Sequence, residues 1–152
     1  MSYVQRVLQP GETVVYTTRL HWLVFFRAGL FAILALIAFG FAETRGDLHL
    51  PLLVLAGILA VIAFFDGAAA ALRRATTEFA VTDHRIIYKR GIVGRYTIEM
   101  ARAKVESVDV QQSLAGRALN YGTIIVRGTG GGLEPIRNVE SPLRLRSAIL
   151  AQ

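Results

Sequence analysis

The side chains able to do chemistry in these 152 residues are few and dispersed. With no cysteine, the chain has neither a thiolate nucleophile nor a thiolate metal ligand. Its three histidines, His21, His49 and His84, stand too far apart to share a metal through any short spacing. The carboxylates after residue 72 are single, at outward strand positions or in turns, so no acid–base pair suggests itself. Gly128-Thr129-Gly130-Gly131-Gly132 resembles a phosphate cradle only in its glycines. A P-loop continues as Gly-Lys-Ser/Thr into a helix, whereas Leu133-Glu134-Pro135 follows here, so a hairpin loop is expected. No enzyme activity, cofactor or metal is expected.

The chemistry that remains is basic charge. Lys89-Arg90-Gly91-Ile92-Val93-Gly94-Arg95 sets three cations around a hairpin tip that also offers Ile92 and Val93. Such a tip suits an anionic bilayer surface, where each Lys or Arg contributes about 1 kcal/mol and the apolar residues dip into the interface. It equally suits a solvated turn whose charges keep sheet edges from pairing. Arg73 and Arg74 lie just after an apolar run and would hold the tip near a membrane. Arg144 and Arg146 are expected to face solvent and would add to a basic surface there.

The positioning elements divide the chain in two. Apolar residues make up 53% of it, but they are concentrated: 18 of 21 residues in Trp22–Ala42 and 19 of 23 in Leu50–Leu72. About 20 apolar residues in a helix cross the hydrocarbon core of a bilayer, so both windows are expected to span. Arg27 is expected to snorkel to the headgroups beside Trp22, and Asp66 either to mark the interface near the end of the second span or, at that depth, to be functional. The connector carries Glu43, Arg45 and Asp47, while arginines flank the outer ends. By the positive-inside rule this is a hairpin with both termini cytoplasmic. Gly29, Gly40, Gly57 and Gly67–Ala71 would permit close helix contacts, either within the hairpin or between copies.

From Arg73 onward, 13 Lys/Arg stand against 7 Asp/Glu, so the whole net charge of +6 belongs to these 80 residues. Period-2 alternation predicts strands over Thr77–Thr82, Arg85–Lys89, Arg95–Met100 (Tyr96, Ile98 and Met100 inward) and Val105–Gln111, the last with a bulge. Ser113–Leu119 is expected to form a short helical turn, Thr123–Arg127 a strand, and Leu133–Val139 an edge strand because of Pro135. Ser141-Pro142 opens a final helix with Leu145, Ala148 and Ile149 on its inner stripe. The fold class is thus two transmembrane helices followed by an all-β bent sheet or partly open barrel with a C-terminal capping helix. The expected domains are an N-terminal cytoplasmic segment (1–21), the hairpin (22–72) and a cytoplasmic domain (73–152).

Several ordered segments resemble the bacterial pleckstrin-homology (PH) domain of the YdbS-like type. They are Thr76-Thr77-Glu78-Phe79-Ala80-Val81-Thr82-Asp83-His84-Arg85-Ile86-Ile87, Gly91, Lys104-Val105-Glu106-Ser107-Val108, Gln112-Ser113-Leu114 and Leu119-Asn120-Tyr121-Gly122-Thr123. Gln9-Pro10-Gly11-Glu12 ahead of a two-span hairpin is similar too. The resemblance implies a seven-stranded, strongly bent sheet closed by a C-terminal helix at the cytoplasmic face of a bacterial inner membrane, without enzyme activity or cofactor. The expected function is a membrane-anchored interaction module that docks protein partners or copies of itself. The alternative is a lipid-sensing domain reading anionic headgroups through Lys89, Arg90 and Arg95. Nucleic acid is not expected as a partner, since the anionic leaflet is the nearer polyanion and no reading helix or stacking strand pair is evident.

Overall fold

The computed structural model describes residues 3–44, 46–91, 94, 96–132 and 135–151. In chain order the elements are α1 (Tyr3–Val7), β1 (Val14–Thr18), α2 (Phe26–Thr44), α3 (His49–Thr76), β2 (Glu78–Thr82), β3 (Arg85–Arg90) and β4 (Tyr96–Ala101). They continue with β5 (Val105–Gln111), α4 (Leu114–Ala118), β6 (Tyr121–Gly128), β7 (Gly131–Gly132), β8 (Ile136–Glu140) and α5 (Pro142–Leu150). Two compact units result: the helical unit Trp22–Leu72, and a sheet unit made of the residues up to His21 together with those from Arg73 onward.

In the helical unit a 3-10 turn, Trp22–Phe25, leads into α2, and a second, Gly46–Leu48, leads into α3. Helix α3 continues past the expected end at Leu72 through Arg73 and Arg74 to Thr76. Arginines are good helix formers, and at a C-terminus they complement the helix dipole. The buried residues of α2 and α3 are all alanines: Ala35, Ala38, Ala42, Ala56 and Ala70. The large side chains stay outside, with Leu36 and Phe64 each 71% exposed. Arg27 and Asp66, read separately in the sequence, face each other as an ion pair at 3.3 Å, and the Asp66 oxygen is shielded without a hydrogen bond. A side chain at Gly67 would touch Ala28, whereas Gly29, Gly40 and Gly57 border open space and are not needed for packing within the hairpin.

The sheet unit contains a strand with no counterpart in the sequence reading. Residues 14–18 form β1, which pairs antiparallel with β2 so that Thr18 lies opposite Phe79. The first sheet runs β1-β2-β3-β4, and the second is built on β6, flanked by β5 on one side and by β7 and β8 on the other. The helical unit is therefore an insertion between two neighbouring strands, and the chain leaves and re-enters the sheet at the same end. Past β1, Leu20 bridges Val139, His21 N–H donates to Asn138 O (2.7 Å) and Glu140 N–H donates to Arg19 O (3.1 Å), joining the two sheets along one seam.

Phe79, Val81, Ile86, Tyr88, Val108, Ile124, Val126, Ile136 and Val139 fill the space between the sheets, and α5 closes it with Leu145 and Ile149. Strands β2 and β3 are covered on both faces: Ala80 and Ile87 point away from that core and meet Val4 of α1. The bulge expected in β5 is present as a register shift between Val105 and Ser107. Tyr96 lies on the inward face of β4 with Ile98 and Met100, opposite Arg90, but as the first residue of an edge strand it lies beyond the core and is 39% exposed. One local reading needs correction. Ser141 precedes α5 but makes no side-chain cap: it sits in the left-handed region (φ 49°), and its hydroxyl accepts from Asn120 Nδ2 instead.

A clasp fixes the N-terminal segment to the turn between β2 and β3. Glu12 accepts from both Nε and Nη2 of Arg85, each at 2.9 Å, and from the Thr82 hydroxyl at 2.7 Å. Arg85 also donates to Glu99 (2.7 Å) and to Val7 O (2.7 Å). The Arg85 hydrogen bonds lower the Glu12 carboxyl to about 2, and the Glu12 hydrogen bond in turn raises Arg85. Beside it, Thr13 and Asp83 exchange hydrogen bonds. Arg102 ties the same turn to the last carbonyls of α5, donating to Ala148, Ile149 and Ala151. The segments Gln9–Glu12 and Thr82–Arg85 thus serve the architecture rather than a reaction.

Candidate interaction surface

Strand alternation sends neighbouring cations to opposite faces. Tyr88 and Arg90 share the inner face of β3, and the Arg90 guanidinium lies 5.1 Å over the ring of Tyr96, its register partner on β4. Lys89 projects the other way, its ammonium 5.1 Å over the Tyr3 ring of α1. Lys89 and Arg90 are adjacent in sequence but do not share one surface. Ile92, Val93 and Arg95 lie outside the described residues. Arg73 is exposed on the last turn of α3, and Arg74 is half-buried.

Arg73 and Arg90 come together in a cleft of about 640 Å³. Its walls are Leu20 beyond β1, Arg73, Thr76 and Thr77 before β2, Tyr88, Arg90 and Tyr96 on the β3–β4 pair, and Pro135, Ile136 and Arg137 at the start of β8. Three guanidinium groups, two hydroxyls and two phenols line it, with no carboxylate among its described lining residues. Such a lining suits an anion able to accept several hydrogen bonds, above all a phosphate. Arg137 was not singled out from the sequence. It is an ordinary outward residue of β8, and only the seam between Leu20 and Val139 brings it to Arg73 and Arg90.

The histidines all have structural surroundings. His21 is buried with its ring 5.2 Å from that of Tyr121. His49 Nδ1 lies 3.0 Å from Ala42 O, and His84 pairs with Asp83 at 2.8 Å, which lowers the Asp83 carboxyl. Among the described residues no three His, Asp or Glu side chains are placed to hold a metal ion. The glycines at 128–132 form a hairpin, with Gly128 opposite Gly131 across β6 and β7.

No curated protein and no solved structure matches the chain. The family model of the bacterial PH domain matches residues 23–152. PH domains are generally non-enzymatic modules that mediate lipid or protein interactions, and no catalytic family is indicated. The match covers most of the chain, and the chain belongs to the bacterial PH domain family.

Proposed function

We propose that this protein is a membrane-anchored, non-enzymatic interaction module of the YdbS-like kind, lying at the cytoplasmic face of a bacterial inner membrane with both termini inside. It docks protein partners or further copies of itself, as a scaffold or assembly factor of a membrane complex. The observation that carries this reading is the exposure of the helical unit. Core helices of a soluble protein bury their apolar stripe, but only 11% and 6% of the most apolar windows of these two helices are buried. Hydrocarbon is the solvent in which such a surface has no cost. Gly29, Gly40 and Gly57, bordering open space, leave room for a helix of a second hairpin to approach. The full-length chain should stay with the membrane pellet through an alkaline wash and leave it in mild detergent with a stoichiometric partner or as an oligomer. Release by the wash, or a lone monomer in detergent, counts against the reading.

A second reading is favoured by the arginine-lined cleft: the sheet unit senses anionic headgroups. Each cation near an anionic leaflet contributes about 1 kcal/mol, so removing two should weaken binding roughly 30-fold. The test is vesicle flotation of a form in which a short linker replaces Trp22–Leu72. Binding to phosphatidylglycerol vesicles should fall by about that factor in the Arg90→Ala/Arg137→Ala variant. Lys89→Ala should have a smaller effect, because Lys89 sits on the opposite face over Tyr3.

A further inference from the structure

Most of the segment Gln112–Thr123 has a visible structural task. Gln112 Nε2 donates to Gly116 O (3.2 Å) and Tyr121 O (2.9 Å), and the Ser113 hydroxyl caps α4 by accepting from Gly116 N (3.0 Å). A side chain at Gly122 would meet Gln111 O at 2.7 Å, so only glycine fits there. Asn120 and Ser141, both at positive φ, are joined by the Asn120 Nδ2 to Ser141 Oγ bond and by Ser141 N–H to Asn120 O. These contacts lock α4, the start of β6 and the start of α5 into one corner. Leu114 has no part in them. It is 85% exposed, more than any other large apolar residue described, those of the helical unit included. Leu119 (44%) and Leu143 (54%) are exposed on the same corner.

The charge around these leucines is mainly basic. Arg117, Arg144 and Arg146 are exposed, and residues 112–120 and 141–151 contain no Asp or Glu; Glu140, the register partner of Tyr121, lies at the border of the corner. Exposed leucines interspersed with arginines make up the composition of a surface that lies in the interfacial layer of an anionic bilayer. Its place in the chain agrees. The Tyr121 ring rests on His21, the residue immediately before Trp22, where the first apolar helix begins.

We propose that this corner is a membrane contact. Leu114, Leu119 and Leu143 enter the interfacial layer of an anionic leaflet, and Arg117, Arg144 and Arg146 meet its phosphates. The proposal rests on the reading that the helical unit spans the bilayer. The contact then sets how the tethered sheet unit lies on the membrane, since a weak surface interaction acts at high effective concentration once both of its connections enter the same bilayer.

The chain has no cysteine, so single cysteines report cleanly. An environment-sensitive fluorophore is attached to Leu114→Cys in the full-length protein, in vesicles containing phosphatidylglycerol and headgroup nitroxide lipids; Ile33→Cys in α2, read with lipids carrying the nitroxide deep in the acyl chain, serves as reference. Blue-shifted emission quenched by the nitroxide is expected at Leu114, with loss of quenching in the Arg117→Glu/Arg144→Glu/Arg146→Glu background while Ile33 is unaffected. A Leu114 label quenched by aqueous iodide but not by nitroxide, with Ile33 still in lipid, overturns the contact and leaves the anchor standing. Shielding from both quenchers means a protein covers the corner and overturns it equally. An Ile33 label that lipid does not quench overturns the anchor, and the contact with it. A Leu119→Cys label repeats the test should Leu114→Cys prove unstable.

Discussion

Arg85→Ala is expected to destabilise the sheet unit by about 3–5 kcal/mol, the cost of leaving one member of a buried ion pair without its partner. Glu12 is almost wholly buried, 3% exposed at its side chain, and loses a bidentate partner, while Glu99 and the Val7 carbonyl each lose a donor. A loss of that size is a fifth or more of the stability of an ordinary domain. Native-state hydrogen exchange in detergent should show it as faster exchange of the β2 and β3 amides, with α2 and α3 unchanged. Unchanged exchange in β2 would mean that the clasp is ornamental. The clasp also sets a pH response. Because Arg85 lowers the Glu12 carboxyl from its ordinary 4.5 to about 2, its contribution is complete above about pH 4.5 and is lost as pH falls towards 2. Asp83, lowered by His84, acts in the same direction. The acid-side loss should be smaller in Arg85→Ala, where the cause of the Glu12 shift is gone.

On the proposed reading, replacing Trp22–Leu72 with about six glycine and serine residues should release the chain from the membrane as a soluble, folded protein. Thr18 and Phe79 are register partners, so the chain ends on either side of the insertion already lie close together within the sheet unit. The fragment Arg73–Gln152 should behave very differently. It lacks β1, so the outer edge of β2 stands open. It lacks Val4, so Ala80 and Ile87 lose their cover. It lacks Glu12, so Arg85 is left without its principal partner. The linked form should give a sharp thermal transition and a monomeric elution volume, and the fragment should aggregate or show no cooperative melt. Equal stability of the two would show that the N-terminal segment contributes nothing to the fold.

That contrast marks where the sequence was legible. Strands β2 to β6 alternate or are bounded by turn residues, and the apolar runs of α2 and α3 are long, so each is visible locally. Strand β1 is not. Val14–Thr18 is five residues long, its partner follows the whole apolar hairpin, and reading in order assigns the segment to a preamble. One trace of it was present in β2: Phe79-Ala80-Val81 is continuously apolar rather than alternating, as a strand covered on both faces must be. The candidate surface was legible in part for a related reason. A local run such as Lys89-Arg90 looks like one patch, but a strand divides it between two faces, and Arg137 joins Arg90 only through pairing between distant segments. Leu114 lies in a segment whose resemblance to the family was evident, yet its exposure depends on how Gln112 and Gly116 orient α4.

The central claim is a PH sheet held at the inner face of a membrane by a hairpin inserted between its first two strands. Accessibility of single cysteines in intact cells to a membrane-impermeant maleimide tests it most directly. Thr13, Asp47 and Thr129 are all exposed in the structure. Asp47→Cys should label from outside, while Thr13→Cys and Thr129→Cys should label only after the cells are opened. Labelling of Thr129→Cys in intact cells, or of Thr13→Cys and Thr129→Cys on opposite sides, would contradict the account.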